Sequence, residues 1–282
     1  MKPIKIMTTS LADVPKELAK EYDITILPLC IRFGEEEFKD GVDLHSEEFF
    51  QRLKDTGEVS QSSQIPPSIF IKEMKTLLEK GYQVILVNGS SKVSGTHQSS
   101  IMAQNEIGNE DITIIDTMAL SYGCGMIVVE AAKMVKEGKS KEEIINRIEE
   151  MKDKVDHIFS VDTLDYLQKG GRLSATKATI GKILNVKPIL TIQDGIVEPF
   201  DKVRGSKKII PRMIELAQER GLKKGSEYIC VAHGGNKENF KKLKEEIVQV
   251  FETENMIEME IGCTIGTYTG PGFLAIIYIK NE

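Results

Sequence analysis

Val84-Ile85-Leu86-Val87 runs straight into Asn88-Gly89-Ser90-Ser91-Lys92-Val93-Ser94-Gly95-Thr96. A short aliphatic run closed by turn residues reads as a buried strand ending near Asn88, and the stretch over 95–107 reads as a helix. Strand, short loop and helix in that order are the unit of an α/β fold. In an open α/β sheet the ligand crevice lies beyond the carboxyl ends of the strands, where Ser94-Gly95-Thr96 falls. A helix amino end offers unpaired N–H groups and about half a positive charge. Gly95 lets a backbone approach closely, and the hydroxyls add donors, so the geometry suits a small anion. The plainer alternative is that Ser94 caps the helix and the other serines only make turns.

Outward from this unit the same rhythm continues. Ile4-Lys5-Ile6-Met7-Thr8, the stretch 24–29 and Ile112-Thr113-Ile114-Ile115 read as further strands with helices between them. Ser46-Glu47-Glu48-Phe49 opens one helix, and Ser140 with Glu143 three residues later has the form of a capping box after Gly138 stops the preceding helix. From about Asp156 the pattern changes. Pro188-Ile189-Leu190-Thr191-Ile192, Asp194-Gly195 and Ile196-Val197-Glu198 predict an antiparallel hairpin, because Asp-Gly suits the positive φ angles of a type I′ turn. Helices over 206–220 and 238–251, a strand over 228–232 and a closing strand over 273–279 complete an α+β pattern. The expectation is two domains: 1–155, α/β with a mainly parallel Rossmann-like sheet, and 156–282, α+β with an antiparallel sheet.

With 282 residues, 40% hydrophobic, the chain has enough length for a sizeable core in each half. Its net charge of −6 disfavours nucleic acid as a partner. It has no apolar run of about 18 residues and no signal-peptide pattern behind Met1-Lys2-Pro3, so a cytoplasmic protein is expected. Cys30, Cys124, Cys230 and Cys263 stand far apart among apolar or small neighbours and read as buried thiols, with no metal spacing among them. Gly138-Lys139-Ser140 lacks the upstream glycine of a phosphate loop. Gly123-Cys124-Gly125 lacks the third glycine of a dinucleotide fingerprint and reads as helix packing. There is no G-x-S-x-G and no H-E-x-x-H, so neither a cofactor nor a metal is expected.

What remains is a series of hydroxyl and glycine clusters, donors without a general base: Thr8-Thr9-Ser10, Ser60-Gln61-Ser62-Ser63-Gln64, the 90–96 loop and Thr267-Tyr268-Thr269-Gly270-Pro271-Gly272. Two stretches carry excess positive charge. Five basic and no acidic residues lie from Lys169 to Lys187, and eight basic against three acidic from Asp201 to Lys224. Such polarity suits a phosphorylated ligand or acidic partner, or else a solvated helix face.

In family order, Ser62-Ser63-Gln64, the 90–96 loop, Val161-Asp162-Thr163-Leu164-Asp165-Tyr166-Leu167, Lys169-Gly170-Gly171-Arg172-Leu173-Ser174, Asn185-Val186-Lys187-Pro188-Ile189-Leu190, Lys202-Val203-Arg204-Gly205 and Ile265-Gly266-Thr267-Tyr268-Thr269-Gly270-Pro271-Gly272 resemble the DegV family of bacterial fatty-acid-binding proteins. The resemblance implies the two-domain DegV-like fold, with a long-chain fatty acid buried in an apolar tunnel and its carboxylate at the domain junction. It implies a partner as well, a fatty acid kinase that phosphorylates the bound carboxylate to an acyl phosphate, and so a role in phospholipid metabolism. Carried over by motif, Ser62, Ser94, Gly95, Thr96 and Tyr268 would receive the carboxylate. Arg172 and Arg204 would stand near the mouth, facing the phosphate and the partner. The chain would then be no enzyme but a carrier that presents a substrate, expected as a monomer alone and compatible with peripheral membrane contact. The chain departs from the family pattern in three places: the early loop, with Thr9 where Asp is usual and Leu11 where a hydroxyl is common; Ser62 where Thr is commoner; and Tyr268 where His often stands. The competing class is a phosphoryl-transfer or hydrolytic enzyme acting through the serine clusters, which requires a base or metal site that the sequence does not display.

Overall fold

The computed structural model describes residues 2–173, 186–253 and 255–281. Ser174 and Asn185, which bound two of the motifs quoted for the family likeness, lie outside them. The first half runs β1 (Ile4–Thr9), α1 (Lys16–Glu21), β2 (Thr25–Leu27), β3 (Cys30–Phe33), β4 (Glu36–Lys39), α2 (Ser46–Thr56), β5 (Ser60–Ser63), α3 (Pro67–Glu79), β6 (Gln83–Asn88), α4 (Thr96–Ile107), β7 (Ile112–Asp116), α5 (Tyr122–Lys136) and α6 (Lys141–Lys152). The second half runs β8 (Val155–Ser160), α7 (Asp165–Lys169), β9 (Val186–Gln193), β10 (Ile196–Arg204), α8 (Ile209–Glu219), β11 (Ile229–Gly234), α9 (Lys237–Phe251), β12 (Ile257–Glu260), α10 (Cys263–Thr269) and β13 (Phe273–Ile279).

Four strands form a parallel sheet in the order β2-β1-β6-β7. Both of its faces are covered, which is why β6, at an inner position, is continuously apolar over Val84–Val87 rather than alternating. Val84 and Leu86 join Phe70, Met74 and Leu77 of α3 in one core, while Ile85 and Val87 join Ile127 and Val128 of α5 in another. The strand expected over 24–29 is cut short. β2 stops at Leu27, Pro28 has no N–H to give to a ladder, and from Cys30 the chain enters a separate antiparallel sheet, β4-β3-β5, which the sequence reading did not foresee. The serine cluster at 60–63 is therefore a strand and not a turn.

The second half builds a six-stranded sheet in the order β10-β9-β8-β13-β11-β12. The β9–β10 hairpin turns at Asp194 and Gly195, with φ of 50° and 77° as the Asp-Gly turn requires. The expected antiparallel arrangement holds except at one edge, where β12 lies parallel to β11. The long helix α9 connects those two strands and carries the chain back to the starting end of the sheet, which makes a parallel neighbour of the next strand. The expected helix over 206–220 begins with a tight turn at Ser206–Lys208 before α8 proper. The capping box forms as read: Glu143 N–H donates to Ser140 Oγ, and Ser140 N–H to Glu143 Oε2.

Alternation along β8 and β13 gives this sheet two different faces. Ile158, Leu274, Ile276 and Tyr278 pack with Met213 and Ala217 of α8 and Leu243 and Ile247 of α9. Phe159, Phe273, Ala275 and Ile277 point the other way, into the core shared with α5. Helix α5 is buried nearly all round because it lies against strands of both large sheets, and Gly123 and Gly125 serve the close packing expected of them.

One buried charge anchors the α8 side. Asp156, 1% exposed, receives Arg220 Nε and Nη2 at 2.7 Å each and the Tyr278 hydroxyl at 3.0 Å. Arg220 holds the Asp156 carboxyl below its ordinary value against the opposing effect of burial. Without Arg220 the buried charge keeps the Tyr278 hydroxyl but, among the described residues, no cation closer than Lys280 at 3.6 Å, so Arg220→Met should lower stability by about 3 kcal/mol. Urea unfolding of the two proteins measures it, and an unchanged midpoint would show that water reaches Asp156.

Candidate functional site

A cavity of about 270 Å³ lies where the two halves meet. Most of its wall is hydrocarbon: Leu11 and Leu29 from the first half, and Phe159, Ile192, Val197, Phe273, Ala275 and Ile277 from the cavity face of the six-stranded sheet. The remainder includes a connected polar group of Ser62, Gln64, Ser94, Gly95, Arg172 and Tyr268.

That polar end is assembled from four places in the chain. Ser60 and Ser62 point the same way from β5 because side chains alternate along a strand. Ser60 Oγ donates to Thr267 Oγ1 at 3.0 Å, and Ser62 Oγ lies 2.7 Å from the Tyr268 hydroxyl. At the amino end of α4, the Thr96 N–H donates to Ser94 Oγ at 3.3 Å, leaving the Ser94 hydroxyl hydrogen without a partner among the described residues. Gly95 is there because the Gln64 carboxamide occupies the space a Cβ would take. Half-buried Arg172 donates from Nε to the Val93 carbonyl at 3.2 Å and from Nη1 to the Gly170 carbonyl at 2.7 Å. Its guanidinium stacks 4.6 Å from the centre of the Tyr268 ring. No carboxylate among the described residues pairs with it, so three of its five donors remain for an anion.

The structure thus brings Ser62, Ser94, Gly95, Arg172 and Tyr268 to one cavity. Two other expected residues are not part of its wall. Thr96 is buried, with its Oγ1 unpartnered among the described residues. Arg204 is exposed at the end of β10, where its backbone pairs with Val186. Ser90 is a tie: its hydroxyl donates to the Gly195 carbonyl at 2.7 Å, clamping the β9–β10 turn against the 90–96 loop. Of the basic excess from 201 to 224, two charges are paired with acids outside the stretch, Arg220 with Asp156 and Lys224 with Glu252, while Arg212 is held by Asp201, Glu215 and Glu219 within it.

Comparison with known proteins fits this architecture. The family model described as an uncharacterised protein of the DegV family matches residues 3–281. The chain belongs to the DegV family. A DegV domain-containing protein of Caldanaerobacter subterraneus is 37% identical over 99% of each chain, and protein DegV of Bacillus subtilis 35% identical over 98% of each. Among solved structures, one described as fatty acid binding of a DegV family protein from Thermus thermophilus superimposes with a TM-score of 0.90 at 29% identity, covering all of both chains. DegV of Bacillus subtilis, described as a fatty acid binding protein, gives 0.87 at 33%, again over all of both.

Sequence reasoning missed what holds this DegV chain's Tyr268 in place. α10, which carries Tyr268, has its amino end received by two carboxylates from the first half. Asp40 accepts the N–H groups of Cys263 and Thr264 at 3.0 and 3.1 Å and the Thr264 hydroxyl at 2.6 Å. Asp13 accepts the Gly262 N–H at 2.9 Å and the Ser121 hydroxyl at 2.5 Å. Neither acid follows a helix-capping pattern in sequence, because both lie more than 200 residues from the helix they cap. Burial, with Asp40 beside it, pushes the Asp13 carboxyl up to about 8 from an ordinary value of 3.8.

A group whose pKa is higher folded than unfolded contributes stability that is complete below its unfolded pKa. That stability drains away as pH rises toward the folded value. The native chain should therefore lose stability between about pH 4 and pH 8 relative to Asp13→Asn, whose side chain does not titrate and tolerates the left-handed backbone at φ 48°. Thermal melts of both proteins across that range test it; parallel curves would mean that Asp13 is ionised throughout.

Proposed function

We propose that this protein binds a long-chain fatty acid, with the hydrocarbon chain in the apolar cavity and the carboxylate among Ser62, Ser94, Gly95 and Tyr268, and presents it to a separate fatty acid kinase. The observation that carries the reading is the cavity itself: a hydrocarbon wall joined to a connected end of neutral donors and one arginine without a carboxylate partner among the described residues. An anion is costly to bury unless several donors receive it, and hydroxyls with helix N–H groups do so without the grip of a close ion pair. The chain contributes about 0.8 kcal/mol per buried CH₂, so affinity comes from the tail and orientation from the head. Relatives of full length described as fatty acid binding support the ligand class.

Presentation has its own support. Ser62, Arg172 and Tyr268 also line a second recess of about 280 Å³, together with Lys169, Gly170 and Thr267. Two cations at the edge of the headgroup site suit the phosphoryl group that a kinase would add there, and exposed Arg204 suits contact with the kinase. The reading makes the chain a carrier and not a catalyst, at work in the cytoplasm as a monomer that supplies acyl phosphate for phospholipid synthesis, with its two domains meeting near residue 155. Among the described residues no helix is long and apolar enough to cross a membrane.

Freshly purified protein should carry one fatty acid per chain in native mass spectrometry, with the acid identified after lipid extraction. A lipid-free protein that also takes up no fatty acid from detergent would end the proposal. Losing one donor to a buried anion costs about 1.5–3 kcal/mol, so Ser94→Ala should weaken capture by that amount and the Ser62→Ala, Ser94→Ala pair by more. Unaltered affinity in the pair would move the carboxylate elsewhere. With kinase added, Arg204→Ala should slow acyl phosphate formation more than it slows loading, and equal effects on both would remove Arg204 from the partner's surface.

A further inference from the structure

The sheet wall of the cavity is apolar except at one position. On its cavity face stand Phe159 of β8 and Phe273, Ala275 and Ile277 of β13, and directly across from Ile277 stands His157. The imidazole is 4% exposed and lines the cavity. Its Nε2 lies 3.0 Å from the Leu120 carbonyl oxygen. A carbonyl only accepts, so Nε2 carries the hydrogen. Gly123 of α5 packs on the same edge of the ring, so closely that a Cβ there would overlap Nε2.

Burial pushes the His157 pKa down to about 4, so the ring is neutral at ordinary pH. A neutral imidazole with its hydrogen on Nε2 has a bare lone pair on Nδ1. The nearby polar groups do not answer it. Asp156 points to the other face of the sheet and is held by Arg220 and Tyr278, and the Ser121 hydroxyl, which also lines the cavity, is paired with Asp13 Oδ2 at 2.5 Å. Among the described residues the ring makes no second side-chain hydrogen bond. The hydrocarbon wall therefore contains one acceptor without a donor, and a plain alkyl chain laid against it leaves it so.

We propose that His157 Nδ1 accepts a hydrogen bond from a hydroxyl carried on the chain of the bound fatty acid, making this a cavity that selects hydroxylated long-chain acids. The inference rests on the fatty acid reading and adds a second recognition point to it. Because the carboxylate is fixed among Ser62, Ser94 and Tyr268, the hydroxyl meets His157 at only one distance along the chain. The preference is therefore positional: elsewhere a hydroxyl is buried without a partner and weakens binding.

The test uses delipidated full-length protein, with stearic acid and a series of monohydroxystearic acids, the hydroxyl moved stepwise along the chain, each displacing a fluorescent fatty acid. One position, or two adjacent ones, should bind about tenfold tighter than the other isomers, the size of one net hydrogen bond. In His157→Phe the ratio of the favoured isomer's affinity to that of stearic acid should fall by the same factor. A profile without a maximum, or a maximum that survives in His157→Phe, overturns the proposal. A measurement on the unmodified protein stands beside the variant: the ¹⁵N resonance of His157 Nδ1 should move on binding the favoured isomer relative to stearic acid, and an unmoved resonance also overturns it. Failure of stearic acid itself to bind would instead strike the fatty acid reading, so the two failures are told apart.

Discussion

The seven-residue helix α10 is held at its amino end by two carboxylates that belong to the other half of the chain. Much of the geometry of the cavity's polar end depends on that arrangement. Asp40 takes two backbone N–H groups and a hydroxyl, the strongest kind of cap a helix can be given, and Asp13 takes the N–H just before them. α10 then carries Tyr268 to Ser62 and Thr267 to Ser60. So short a helix has little stability of its own, and its place is dictated from outside. The raised pKa of Asp13 belongs to the same arrangement, because burial penalises its charged form and the neighbouring Asp40 adds to the rise.

The cavity divides its work between two kinds of surface. The sheet wall is made by simple alternation: odd-numbered residues of β8 and β13 face the cavity and even-numbered ones face α8 and α9. Such a wall attracts hydrocarbon without regard to its position. The polar end is the opposite, a set of groups each fixed by a particular bond, down to Arg172 anchored on two backbone carbonyls over the Tyr268 ring. Apolar surface and fixed polar groups thus come from different parts of the molecule.

The fold was legible wherever pattern is local. The β6 run, the capping box at Ser140, the Asp-Gly hairpin and the closing strand at Phe273–Ile279 were all readable from neighbouring residues. The small sheet β4-β3-β5 was not, because its strands have only four residues each, β4 and β5 are largely polar, and β3 follows closely on Pro28. In the site, Ser62, Ser94, Gly95, Arg172 and Tyr268 came from motifs and do meet in space. Thr96 and Arg204 came from the same motifs and do not join them, since adjacency in sequence does not decide which way a side chain turns. Asp13, Asp40 and His157 were invisible for a further reason: what matters about each is a partner or a face supplied by a distant segment.

β13, the last strand in the order of the chain, lies in the middle of its sheet between β8 and β11. Phe159 meets Ala275 across that ladder, and neither flanking strand can complete its pairing until β13 arrives. During synthesis, then, β8 and β11 wait with open edges, and the apolar surface of α5 has no sheet to cover it on that side. Three residues of the cavity wall, Phe273, Ala275 and Ile277, arrive only with this strand. A nascent chain stalled before residue 273 has the parallel sheet and its helices, but its cavity stands open along the middle of the second sheet.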